Sequence, residues 1–220
     1  MMGFYGQGLG MLYREGNLVF KSRQEGGQNI LLHCERDAIG EVVIPSGVSK
    51  IEAGAFQDCK AVTSIRFPES VTEIEDRAFA GSGIMSLNLP RLERIKFRLC
   101  AGCKALKSVR VQEGLIAIDS SAFEQCEVLE SLGVNADTEG LELPIGFEEL
   151  GESAFRSCFN LKIAKLPQTV TAINYAAFCY SGLKIIYYPQ NAIVGYHAFN
   201  QCKNLHQVVL PQVPMQSMGL

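Results

Sequence analysis

The sequence predicts a repeat solenoid: a right-handed superhelix with one short parallel strand per unit and an outer face of turns and short helical segments. Three observations predict it. An Ala-Phe pair recurs at Phe56, Phe79, Phe123, Phe155, Phe178 and Phe199, and Leu99-Cys100 keeps the spacing without the residue types. Successive slots lie 23, 21, 23, 32, 23 and 21 residues apart. Proline marks the same period, at Pro45, Pro68, Pro90, Pro144, Pro167, Pro189 and Pro211, with Gln112 filling the one vacant place. Each proline slot precedes its aromatic slot by 10 or 11 residues, and a fixed phase between two markers is the signature of a structural repeat.

Each part of the unit has a physical reading. The stretch before the proline alternates apolar and other residues, as in Ile65-Arg66-Phe67, Leu87-Asn88-Leu89 and Val109-Arg110-Val111. Period-two alternation over a few residues describes a short half-buried strand. Proline ends that strand, because it cannot donate to the ladder. The next apolar pair, such as Val71 and Ile74, points back inward. The Ala-Phe turn then crosses the outer wall, Ala where space is tight and Phe as the large filler. A unit this small cannot bury its own apolar face, so neighbours must stack in register.

The units occupy residues 45–211, about seven of them. Residues 1–44 are expected to form a flexible start followed by a β cap, in which Met11–Phe20 reads as two strands around Gly16-Asn17. Residues 212–220 are a tail without an aromatic turn, so the last strand is an edge either shielded by this tail or available for pairing with another chain. One unit is nine residues longer than the 23-residue units; the excess lies between Leu132 and Leu141, where 133–140 is polar and turn-forming and reads as a surface loop.

The unit L-x-x-I-x-I-P-x-x-V-x-x-I-x-x-x-A-F-x-x-C resembles the BspA-like class of leucine-rich repeats, over about residues 42–211. That resemblance implies a bacterial or protist protein at the cell surface or outside the cell, working in adhesion or interaction. The N-terminal residues Met1–Gly10 do not themselves read as a secretory signal, since they carry neither a basic region nor a continuous apolar one.

Composition narrows the function classes. A net charge of −3 disfavours a nucleic-acid or anionic-membrane binder, and no apolar run is long enough for membrane insertion. Eight cysteines suggest a disulfide framework or a metal site, but Cys59, Cys103, Cys126, Cys158 and Cys202 all fall three residues after the aromatic slot. They read as small buried hydrophobes, reduced and without metal. Cys100-x-x-Cys103 arises because Cys100 replaces the repeat's Phe. His33, His197 and His206 have no ligand spacing among them, and no carboxylate pair is singled out for acid–base work. The chain is read as non-enzymatic and without a cofactor.

Binding is then expected on the outward residues of the strands: Val43, Arg66, Asn88, Arg110, Glu142, Lys165, Tyr187 and Val209, taking a protein or a glycan. Tyr187 and Tyr188 beside Ile185 and Ile186 are expected to form the most apolar exposed stretch, a hot spot. The alternative is a structural protein that self-associates through its C-terminal edge.

Overall fold

A computed structural model describes residues 11–22, 29–135 and 137–210. The expected start at 1–10 and tail at 212–220 lie outside those residues.

The coils stack into eight turns, each running through a strand wall, a lateral wall and a wall of turns. The strand wall contains β4 (Gly40–Val43), β6 (Val62–Arg66), β8 (Ser86–Asn88), β10 (Ser108–Arg110), β12 (Ser131–Gly133), β13 (Gly140–Glu142), β15 (Ile163–Lys165), β17 (Ile185–Tyr187) and β19 (Gln207–Val209). All its pairings are parallel. The lateral wall contains β5 (Val48–Ile51), β7 (Glu73–Ile74), β9 (Arg94–Ile95), β11 (Ala117–Ile118), β14 (Glu149–Leu150), β16 (Ala172–Ile173) and β18 (Ile193–Val194), likewise parallel where paired.

At the N-terminal end a hairpin of β1 (Leu12–Glu15) and β2 (Leu18–Lys21) turns at Gly16 and pairs antiparallel with β3 (Asn29–Cys34). Parallel stacking reaches back before residue 45, for β3 lies parallel to β5 and β4 to β6. Cys34 occupies the aromatic slot of this first turn: its N–H donates to the Ala55 carbonyl as the Phe56 N–H donates to that of Ala78.

The outer wall differs from expectation in one respect. No helical segment occurs among the described residues; the wall is made of turns. Residues two before and two after the aromatic slot take positive φ: Gly54 and Asp58 about Phe56, Ser153 and Ser157 about Phe155, Ala176 and Tyr180 about Phe178. A left-handed residue ends a helical run, so two per turn leave no room for a helix. In place of internal helical bonds, three N–H groups per turn donate to carbonyls of the following turn, as with Ser153 to Tyr175 (2.9 Å), Phe155 to Ala177 (2.8 Å) and Ser157 to Cys179 (2.9 Å).

One core runs the length of the molecule. The aromatic slots stack at ring separations of 5.7 Å (Phe56–Phe79), 5.4 Å (Phe123–Phe155), 5.6 Å (Phe155–Phe178) and 5.8 Å (Phe178–Phe199), and Cys100 breaks the column into two. All eight cysteines are free and buried. The slot cysteines do more than fill space. The thiols of Cys103, Cys126, Cys158 and Cys202 donate to the aromatic-slot carbonyl of the preceding turn, at 3.0, 3.1, 3.2 and 2.9 Å. Ser82 and Ser181 take this position in the two units of 21 residues, two shorter than the 23-residue units, and each hydroxyl meets the next thiol. Both are followed by glycine, because a Cβ at Gly83 or Gly182 would collide with the backbone carbonyl of Lys60 or Phe159.

Candidate binding face

The strand wall places the outward residues named from the sequence on one face, one rung per strand, in the order Val43, Arg66, Asn88, Arg110, Glu142, Lys165, Tyr187 and Val209. Between Arg110 and Glu142 lies a rung that the sequence reading left out, Gly133. Counted as excess loop, the long unit in fact lays down two strands. Leu129-x-x-Leu132 matches Leu106-x-x-Val109, so β12 is the regular strand, and β13 is added beside it before Pro144. Nine strands at a spacing of about 4.8 Å give a face of roughly 38 Å. Gly133 is covered by its own loop, where a Cβ would meet the Thr138 side chain at 2.6 Å.

Charges along this face pair mostly with one another. Arg66 makes a two-pronged contact with Glu41 at 2.9 and 3.0 Å, and Lys165 reaches Glu142 at 3.4 Å. Arg110 donates from Nε to the Val134 carbonyl at 3.1 Å, which ties the ladder to the long unit's loop. Asn88 has no hydrogen-bond partner among the described residues.

Beside Asn88 lies a groove of about 660 Å³, whose floor is Phe67 and Leu89 and whose rim includes Arg91, Gln112, Glu113 and Val134. Gln112 stands where other units carry proline, and Val134 belongs to the loop of the long unit. Two departures from the repeat therefore meet at one place. Glu69 and Glu113 at its margin have no ion-pair partner among the described residues. The sequence contained both signals, the missing proline and the excess length, and periodicity alone does not show that they converge.

The stretch 185–188 is not the most apolar exposed part of the structure. Ile186 is fully buried, Ile185, Tyr187 and Tyr188 are half-buried, and Tyr188 lies 6.2 Å from Phe199. The reason is the pleat: residues 186 and 188 share the inward side, so only 185 and 187 face outward. The large apolar exposure at this end is instead at Ile193, Val194, Tyr196 and Val208.

Comparison with known proteins agrees with this architecture. A model of the BspA-type leucine-rich repeat region matches in six copies, over residues 33–141 and 134–219. No curated protein matches significantly. Among solved structures, a leucine-rich cell surface protein of Faecalibacterium prausnitzii superposes with a TM-score of 0.64 at 23% identity, covering 90% of this chain and 54% of that one. The pneumococcal vaccine antigen PcpA does so at 0.57 and 18%, covering 92% of this chain and 71% of its own. A leucine-rich repeat protein of Bacteroides ovatus gives 0.55 and 18%, covering 89% and 70%. This chain thus spans about half the length of the first of these. At such identities the likeness concerns the fold, while the six repeat matches cover most of the sequence: the chain belongs to the BspA-type leucine-rich repeat family.

Proposed function

We propose that the chain is a non-enzymatic interaction or adhesion module, working at the cell surface, that binds a protein or a glycan through its strand wall. Membership of a surface-repeat family supports the general role. The observation that carries the site is the groove beside Asn88, where unpaired polar side chains stand over an apolar floor. Elsewhere on the wall the charges satisfy one another, so a ligand would break existing pairs to use them. At the groove it desolvates Asn88, Glu69 and Glu113 and gains apolar contact with Phe67 and Leu89. That combination of apolar floor and a few convergent polar groups is what a recognition site requires. The candidate set is Arg66, Asn88, Arg110, Glu142, Lys165, Tyr187 and Val209, with Asn88 and Arg110 nearest the groove and the hairpin end and tail left outside it.

The test applies the purified chain to a glycan array and to immobilised secreted glycoproteins. Saturable binding is expected, weakened about tenfold by Asn88→Ala with the thermal midpoint unchanged. Lys104→Ala, which alters an exposed ion pair with Glu127 away from the strand wall, should leave binding intact. Binding that is insensitive to Asn88→Ala and to Arg110→Ala would refute this face.

A further inference from the structure

The wall of turns contains a well of about 450 Å³ that the repeat itself does not require. Two successive turns give it a floor, Ala80-Gly81 and Ala101-Gly102, at the first and second places after the aromatic slot. The turns on either side close its ends, with Gln57-Asp58 and Glu124-Gln125 at the same two places. The backbone does not impose glycine on the floor. The second place takes positive φ throughout, and Asp58, Gln125, Ser157, Tyr180 and Gln201 adopt it with a side chain. A Cβ at Gly102 would find nothing nearer than the Gly81 Cα, at 4.0 Å. Gly81 makes room for the Asp58 carboxylate, which Lys60 pairs at 3.0 Å.

One edge of the well is basic. Arg77 and Arg98 stand at equivalent places in successive turns, two residues before the slot. Both guanidiniums lie over the ring of Phe97, 5.3 and 5.6 Å from its centre, so one aromatic face holds two cations side by side. Arg98 reaches Glu124 at 3.3 Å, whereas Arg77 makes no ion pair among the described residues. Three cations, Lys60, Arg77 and Arg98, thus face two carboxylates, Asp58 and Glu124. The well keeps one positive charge in a chain whose net charge is −3.

We propose that this well binds a saccharide bearing a carboxylate, a uronate or sialate residue. Two like charges held over one ring repel, and an anion seated between them relieves that repulsion. A guanidinium receives a carboxylate through two parallel hydrogen bonds. The remaining groups suit hydroxyls: Gln57 and Gln125 both donate and accept, and Asp58 and Glu124 accept. Ala80 and Ala101 add only methyl groups, which leaves little to hold an apolar side chain. The volume lies in the range of small-molecule sites and is larger than a bare inorganic anion needs. The well is on a different wall from the groove beside Asn88, so its failure would leave the strand-wall proposal standing.

Titration calorimetry on the whole 220-residue chain tests it. The probes are trigalacturonate, a glucuronate-containing disaccharide and a sialyl trisaccharide, each beside its carboxyl-reduced neutral form. At least one acidic probe is expected to bind saturably, about tenfold or more tighter than its neutral form, and more weakly as salt is raised. Arg77→Gln should weaken that binding at least about tenfold. Gly102→Gln should do the same without a change of charge, since it fills the floor with the residue that the next turn carries at this place. Lys203→Gln, which removes an exposed charge in the last turn, should leave binding unchanged. In the wild-type chain the amide resonances of Gly81 and Gly102 should shift on titration, a readout that does not depend on any variant folding. No binding of any acidic probe, equal binding of the neutral forms, or a hexaglutamate peptide that binds as tightly would each overturn the proposal. So would binding that is indifferent to Arg77→Gln and leaves both glycine amides unmoved.

Discussion

Phe155 sits between Phe123 and Phe178 at 5.4 and 5.6 Å, with the rings within 9° of parallel, and is fully buried. Its removal would open a cavity whose walls are held by cross-turn backbone bonds and cannot close over it. Phe155→Ala is therefore expected to cost about 3–5 kcal/mol, read as a shift of the urea midpoint. An unchanged midpoint would mean that the column is not core. At the same scale, the slot cysteines show what residue type alone conceals. Their spacing marked them as structural, and their burial follows from that. Their donation to the carbonyls of the preceding turn does not, because a sequence carries no record of where a thiol hydrogen points. The presence of Ser82 and Ser181 in the same slot was the available clue, since serine keeps the donor and loses the apolar character.

The lateral wall owes part of its order to charge. Lys50 and Lys96 lie on either side of Glu75, at 2.6 and 2.7 Å, and both also reach Glu73, at 3.5 and 3.1 Å. Burial alone would raise the Glu75 carboxyl above its ordinary 4.5; the hydrogen bonds from the two lysines outweigh it and hold the group at about 2. A carboxylate depressed in the folded state stabilises the fold above its unfolded value, and this contribution disappears as pH falls through the folded one. Wild type and Glu75→Gln should thus differ in urea midpoint at neutral pH, and the difference should shrink between about pH 4.5 and 2. A difference constant across that interval would show that the network does not act through Glu75. The element scale is also where the long unit was misread. Residues 133–140 read as a loop, and β12 shows that the stretch before that loop is itself a strand, laid between β10 and β13.

Stability at the scale of the whole molecule is nearest-neighbour, for each turn touches the turns before and after it along one continuous core. The buried thiols report on that continuity. Burial pushes Cys158 and Cys202 up from the ordinary thiol value, which keeps them protonated and poorly nucleophilic. A thiol reagent should accordingly find eight free cysteines in the denatured chain, prepared without reductant, and label the native one only as fast as turns open. A count of six or fewer would reveal a disulfide. The sequence by itself determined the solenoid, its phase, the aromatic column and the identity of the outward rungs other than Gly133. All of these are periodic, and in a stack of equivalent coils a period along the chain becomes a position in space. What only the tertiary structure decided is aperiodic: the second strand of the long unit, with Gly133 as its rung, and the groove where Gln112 and the loop of that unit come together. These depend on which coil lies next to which, a relation that is not expressed within one unit.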